Sequence, residues 1–157
     1  MKLSLITHGN LLSGHNFGMT DAGKNEIIHI REKLLPKINR PFFIVIGIGQ
    51  RFIQTAKIMA PALTGAELAF SPFLGTPEYA EKDARIALEC GYVAIRKYFG
   101  MATASCFDAW MFLSSMHEDA LLCSGEELMI ALGLGEMHAH GQLYELNTET
   151  KTGRKIC

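Results

Sequence analysis

The residues with the clearest chemical potential are a histidine and a glycine that follow the first apolar segment of the chain. His8 comes directly after Lys2–Thr7, a run that predicts a buried β-strand, and Gly9 is next. An imidazole has a pKa near neutrality, so it can act as a nucleophile or transfer protons. The backbone amide of a glycine is open to an oxyanion. His8 and Gly9 therefore predict a reactive site at the end of the first strand.

A second candidate, Arg51, stands at the start of a helix. It follows the apolar run Phe42–Ile48, which predicts a buried strand, and Gly47 and Gly49 allow a tight turn in between. The first turn of a helix favours anions through its free N–H groups and its dipole. A guanidinium also matches the geometry of a phosphate. His8 and Arg51 together predict a site for a phosphoryl group.

Short apolar runs alternate with helical patterns along the chain. The predicted strands are Lys2–Thr7, Phe42–Ile48, Glu67–Phe70, Ala120–Cys123 and Gln142–Leu146. The predicted helices are Asp21 to about Leu35 (capped by Thr20), Arg51–Leu63 and Glu126–Leu134, with a largely helical region from Glu78 to Met116. This order predicts a single α/β domain over residues 1–157, a three-layer α/β/α sandwich with a mostly parallel central sheet and a polar tail from about residue 147.

Unusual residues stand at the carboxyl ends of three of the predicted strands, at Thr7–Asn10, Gly47–Arg51 and Ser124–Glu127. Ligands bind such folds at the carboxyl ends of parallel strands, which gather at one edge of the sheet. We therefore expect a group of ligand-binding residues to lie around His8. They are Gly9, Asn10, Arg51, Ser124 and Gly125.

The composition argues against several classes of partner. A net charge of −1 with no long run of like charge speaks against nucleic acid. No apolar stretch approaches the roughly 18 residues of a membrane span. The four cysteines form no C-x-x-C pair and indicate core thiols in a reducing, cytoplasmic compartment. His138 and His140 form an H-x-H pair, but no third ligand has a suitable spacing, so neither a metal site nor a cofactor is predicted.

Four segments resemble, in the same order, motifs of the histidine phosphatase superfamily, the phosphoglycerate mutase-like proteins. LITHGN resembles the L-x-R-H-G signature, and MTDAGKNEI resembles the helix start L-T-x-x-G-x-x-x-A. RFIQTAKIMA resembles the R-A-x-Q-T-A helix, the most specific of the four. ALLCSGEELMIAL resembles the strand, turn and helix that carry the second histidine of the family. The resemblance extends from Lys2 to about Leu146 and implies the phosphoglycerate mutase-like fold.

The resemblance also implies roles for particular residues. In that family the first histidine becomes phosphorylated, two arginines and a second histidine hold the phosphoryl group, and an acidic residue donates a proton. By position, His8 corresponds to the nucleophile and Arg51 to one of the arginines. Glu78 and Glu81 are the candidates for the acid.

Two departures from the family pattern argue against ordinary turnover. Thr7 stands where the first arginine is expected, and Gly125 stands where the second histidine is expected. Losing one charge-stabilising group commonly lowers a rate by about 10²–10³. We therefore predict a pseudoenzyme that binds a small phosphorylated or anionic molecule, or a phosphoprotein, with weak or no phosphatase activity.

Two alternatives stay open. The protein could be an active phosphomonoesterase, similar to phosphohistidine phosphatases, with replacements recruited from His15, Glu78 or Glu81. It could also be a non-catalytic interaction module that uses the divergent region Gly91–Met116.

Overall fold

The computed structural model describes residues 1–10, 18–34, 41–47, 49–71, 74, 109–125, 128–129, 132–134 and 140–156. The strands in this part of the chain are β1 (Leu3–Thr7), β2 (Phe43–Gly47), β3 (Glu67–Ser71), β4 (Ala120–Ser124), β5 (Leu143–Asn147) and β6 (Thr152–Lys155). The helices with defined bounds are α1 (Asp21–Leu34), α2 (Gln50–Met59) and a 3₁₀ turn at Ala60–Ala62. The strands form one sheet in the order β3-β2-β4-β1-β5-β6.

The four strands on one side of this sheet run parallel, because β2 pairs in parallel with both β3 and β4, and β4 pairs in parallel with β1. Strands β5 and β6 are antiparallel to their neighbours. Thr7 at the end of β1 is in register with Ser124 at the end of β4. The carboxyl ends of β1, β2 and β4 therefore meet at one edge, as predicted.

Each face of the sheet has its own apolar layer. Helices α1 and α2 cover one face, where Ile27 and Phe52 pack against Leu121. On the other face Trp110 and Met129, both helical residues, belong to one apolar cluster with Leu122. The predicted three-layer α/β/α class is thus confirmed.

The predicted elements match the observed ones closely. The bounds of the first five strands agree within one residue. Helix α2 is shorter than predicted, since it ends at Met59 instead of Leu63 and gives way to the 3₁₀ turn that contains Pro61. A proline lacks the N–H group that would continue the helical hydrogen bonds. No helix in the described ranges is long and apolar enough to cross a membrane.

The polar tail forms a strand that the sequence did not predict. The side-chain oxygen of Asn147 accepts hydrogen bonds from the amides of Glu149 at 2.9 Å and Thr150 at 3.0 Å. This turn brings β6 back antiparallel to β5. All four residues of β6 are exposed at the sheet edge, so the strand lacks the alternation of apolar and polar residues by which a half-buried strand is recognised.

Candidate active site

His8 lies at the carboxyl end of β1 and is fully buried. Its Nδ1 is 2.9 Å from the carbonyl oxygen of Gly9. A carbonyl oxygen only accepts hydrogen bonds, so Nδ1 must carry a proton and donate it. In the neutral ring this leaves the lone pair on Nε2. That atom is buried without a hydrogen-bond partner among the described residues.

Burial lowers the pKa of His8 from 6.5 to about 3. The bond to the Gly9 carbonyl acts in the opposite direction, whereas electrostatic interactions with Arg51 and His140 lower the pKa further. Desolvation and nearby like charges both disfavour an imidazolium. His8 is therefore neutral at physiological pH, with the protonation that a nucleophilic Nε2 requires.

Arg51 occupies the first turn of α2 and is 5% exposed. Its guanidinium carbon lies 4.4 Å from the centre of the Phe52 ring, an attractive cation–π arrangement. The same Phe52 ring is 5.7 Å from the His8 ring, centre to centre. The structure thus brings Arg51 and His8 to the same ring, although they come from different strand ends.

Gly9 and Asn10 make contacts that the sequence did not predict. The Gly9 amide donates to the Met19 sulphur at 3.2 Å, so it is not the open oxyanion donor that was expected. The Met19 amide in turn donates to the Gln54 side chain at 2.7 Å, which links α2 to this loop. The Asn10 side chain donates to the Glu26 carboxylate at 2.8 Å and is tied to α1.

The start of α1 packs tightly on the loop after His8. The Thr20 hydroxyl accepts a hydrogen bond from the Gly23 amide at 3.0 Å, which confirms the predicted helix cap. A Cβ atom added to Gly9 would overlap the backbone of Gly23, and one added to Gly23 would overlap the backbone of Asn10. Only glycines allow this approach of helix and loop, which explains the glycine in the motif that begins at Met19.

Ser124 and Gly125 lie beside the end of β1, as predicted. Ser124 is buried, and its hydroxyl donates to the carbonyl of Leu74 at 2.7 Å. Gly125 accepts a hydrogen bond from the Leu128 amide at 3.2 Å. In this arrangement the Ser124 hydroxyl binds the backbone of Leu74, and contact of either Ser124 or Gly125 with a ligand stays a prediction.

Thr7 contacts the segment before β5. Its hydroxyl accepts a hydrogen bond from the Gln142 amide at 2.9 Å, and its own amide donates to the Gln142 carbonyl at 2.9 Å. Thr7 therefore extends the pairing of β1 and β5 by one residue. The Thr7 side chain, which stands where the resemblance implies an arginine, thus binds the segment just before β5.

His140 is a neighbour of His8 that the sequence did not predict. The centres of the two imidazole rings are 5.0 Å apart. The adjacent Gly141 amide donates to the His8 carbonyl at 2.8 Å, so the backbone also joins the two segments. The H-x-H pattern drew attention to His140 only as a metal ligand. Its position depends on the pairing of β5 with β1, which no local pattern reveals.

Several candidate residues lie outside the described part of the chain. They are the acid candidates Glu78 and Glu81, together with His15, His138, Glu126, Glu127 and most of the region Gly91–Met116. Within the described ranges, no group of three or more His, Cys, Asp or Glu side chains is placed to hold a metal ion.

The arrangement of strands and helices is that of the phosphoglycerate mutase-like fold. Among solved structures, a mycobacterial glucosyl-3-phosphoglycerate phosphatase aligns with a TM-score of 0.67 and 12% identity, over 99% of this chain and 96% of that one. A phosphoserine phosphatase from Entamoeba histolytica, in complex with 3-phosphoglyceric acid, aligns with a TM-score of 0.62 and 11% identity, over 99% and 95%. A phosphoglycerate mutase from Thermus thermophilus aligns with a TM-score of 0.54 and 16% identity, over 94% and 93%. Comparison with family models and with curated proteins finds no match.

Proposed function

We propose that the protein binds a phosphate-bearing ligand at His8 and Arg51 and has weak or no phosphatase turnover. The observation that carries the ligand site is the state of His8, whose Nδ1 proton is bound to Gly9 while its Nε2 has no hydrogen-bond partner in the described chain. The buried guanidinium of Arg51 supplies positive charge close by. The solved structures with this fold include enzymes named for phosphorylated small molecules, which supports the same ligand class.

The burial of His8 favours a small phosphorylated molecule over a folded phosphoprotein. His8 has no exposed surface in this conformation, and Arg51 has very little. A ligand must enter far enough to replace the contacts around the imidazole ring.

Cys123 is a free, buried thiol in the neighbouring strand, which supports the cytoplasmic location inferred from the sequence.

The chemistry open to the site is transfer of a phosphoryl group to an imidazole. The Nε2 lone pair of His8 forms a bond to phosphorus as the ester P–O bond breaks, and the departing alkoxide takes a proton from solvent. Water then attacks the phosphohistidine and releases a proton to solvent as the N–P bond breaks, so that inorganic phosphate leaves and Nε2 regains its lone pair. Such transfers depend on charge stabilisation at the phosphoryl oxygens. Thr7 and Gly125 provide less of it than the arginine and histidine that the resemblance implies.

Vanadate, phosphate and a chromogenic phosphate ester test this proposal. We expect vanadate and phosphate to raise the melting temperature of the protein, and we expect Arg51→Met to abolish that increase. Arg154→Met is the matched control, because the Arg154 side chain is 80% exposed on β6. Ester hydrolysis should stay close to the rate of His8→Ala. If neither anion stabilises the protein, the proposed ligand class is wrong.

A second candidate function is a working phosphomonoesterase. The neutral imidazole with its lone pair on Nε2 favours this alternative, because it is the form of histidine that attacks phosphorus. The same ester assay separates the two. Hydrolysis at least about 100-fold faster than that of His8→Ala would show that the protein is an active phosphomonoesterase. This threshold is the usual effect of one charge-stabilising group on a rate.

A further inference from the structure

We propose that His140 is the second imidazole of the phosphoryl site, and that Thr7 is the residue that positions it. This inference rests on the proposed function and names the group that would share the phosphoryl oxygens with Arg51. The sequence carries no histidine at the turn after β4, where Gly125 stands. The structure instead brings a histidine to His8 from the segment before β5.

Proximity is the first argument. The ring centres of His8 and His140 are 5.0 Å apart, and the two planes are inclined by 40°. A phosphoryl group bonded to Nε2 of His8 would carry its oxygens within reach of a neighbouring ring. An N–H group of His140 could then donate to one of these oxygens.

Charge is the second argument. Two adjacent imidazoles do not both take up protons readily, because like charges repel. His8 is the more buried ring of the two and stays neutral. Phosphoryl transfer needs such a neutral ring to attack and a second group to stabilise negative charge.

The third argument is how the chain holds His140 in place. The Gly141 amide donates to the His8 carbonyl at 2.8 Å, and the Gln142 amide donates to the Thr7 hydroxyl at 2.9 Å. Gly141 has a φ of 58°, and a Cβ atom there would lie 3.2 Å from the Glu26 carboxylate. A glycine is therefore needed for this tight turn.

Thr7 stands where the resemblance implies an arginine, and it also helps to hold His140 beside His8. The threonine side chain is short, so its hydroxyl lies close enough to β1 to accept a hydrogen bond from the Gln142 amide. An arginine carries no acceptor atom in its side chain. The replacement that removes one guanidinium thus provides the hydrogen bond that fixes the segment after His140.

Vanadate affinity, measured by calorimetry on the full chain, tests the role of His140. We expect His140→Gln to weaken vanadate binding about tenfold or more, the range for a hydrogen bond to a charged group. His117→Gln is the matched control, because it removes an exposed imidazole outside the site. Melting temperatures show whether each variant is folded, and His140→Asn serves as a second variant if His140→Gln is not.

A double-mutant cycle tests the positioning role of Thr7. Thr7→Val removes the hydroxyl with little change in shape and should weaken vanadate binding. Thr7→Ser keeps the hydroxyl and should bind vanadate as the unmutated protein does. In the His140→Gln background, Thr7→Val should have no further effect on affinity, because the two residues act through one imidazole. A purely structural role for Thr7 would lower the melting temperature without this loss of additivity.

The outcomes distinguish this inference from the proposed function. If vanadate binding requires Arg51 but is unchanged in His140→Gln, the role of His140 is wrong while the proposed function stands. If the effects of Thr7→Val and His140→Gln add independently, the positioning role is wrong. If the unmutated protein does not bind vanadate at all, both proposals are wrong.

Discussion

At the scale of single residues, the surroundings of His8 determine what its imidazole can do. The Gly9 carbonyl fixes the proton on Nδ1, and burial keeps the ring neutral. A surface histidine would exchange between tautomers and take up a proton in mildly acidic solution. The burial that keeps the ring neutral for attack on phosphorus thus makes it costly to protonate in the folded state, although the Gly9 bond acts in the opposite direction.

The low pKa of His8 predicts a pH dependence of stability. The unfolded chain binds a proton at this residue below pH 6.5, whereas the folded protein binds it only below about pH 3. Between these values the unfolded state holds more protons, so the free energy of unfolding decreases as the pH falls. The contribution of one such group is about 1.4 kcal/mol per pH unit.

Urea unfolding between about pH 7 and pH 4.5, a range that lies mostly within this window, measures the effect. We expect the unmutated protein to lose stability more steeply than His8→Gln, which has no imidazole at this position. His29→Gln, on the exposed side of α1, is the control and should follow the unmutated protein. Parallel curves for the unmutated protein and His8→Gln would contradict a buried, neutral His8.

At the scale of elements, the packing of α1 against the loop after β1 shapes the site. Gly9 and Gly23 allow their backbones to meet, and Met19 fills the space beside the Gly9 amide. Gln54 binds the Met19 amide and thereby couples α2 to the same loop. Two motifs that are distant in sequence, around Met19 and Arg51, are thus joined by a direct hydrogen bond.

This packing predicts different costs for substitution at two glycines. Gly23→Ala should lower the free energy of unfolding by about 1–3 kcal/mol, because its Cβ would overlap rigid backbone. Gly18→Ala is the matched control, since its Cβ would have only ordinary contacts with Gln50 and Gln54, the nearest at 3.5 Å. Denaturant unfolding of both variants measures the difference. Equal stability of the two variants would mean that the helix and the loop can separate without cost.

At the scale of the whole molecule, the sheet holds together two layers that have separate apolar contacts. Trp110 anchors the layer opposite α1 and α2, since its indole N–H donates to the Leu132 carbonyl at 3.0 Å and its ring is buried. This bond joins the helical residues 109–114 to the chain after Met129. Trp110 therefore links two described segments of the layer on that face of β4.

Replacement of Trp110 should destabilise the whole domain. Trp110→Phe leaves the Leu132 carbonyl buried without its donor, which costs about 1–3 kcal/mol of unfolding free energy. Met111→Leu is the control, because Met111 is adjacent but 56% exposed and should change stability by less than about 0.5 kcal/mol. Urea unfolding followed by far-UV circular dichroism measures both variants. A Trp110→Phe protein as stable as the control would show that the hydrogen bond contributes little.

The local sequence was sufficient to predict five strands, the start of α1 and the three-layer class. Apolar runs such as Phe43–Gly47 must be buried wherever the chain folds, so their pattern alone identifies them. The exposed edge strand β6 has no such pattern, because only its backbone pairs with the sheet. The early end of α2 follows from Pro61, which lacks the N–H group needed to continue the helix.

The sequence by itself determined that His8 follows a buried strand and that Arg51 begins a helix, because both features depend on near neighbours in the chain. Only the tertiary structure decided what surrounds His8. Pairing of β1 with β5 brings His140 to the imidazole from the far end of the chain and directs the Thr7 hydroxyl to Gln142. Packing of α1 directs the Met19 sulphur to the Gly9 amide. Such contacts depend on which strands become neighbours, and burial of the whole sheet decides this.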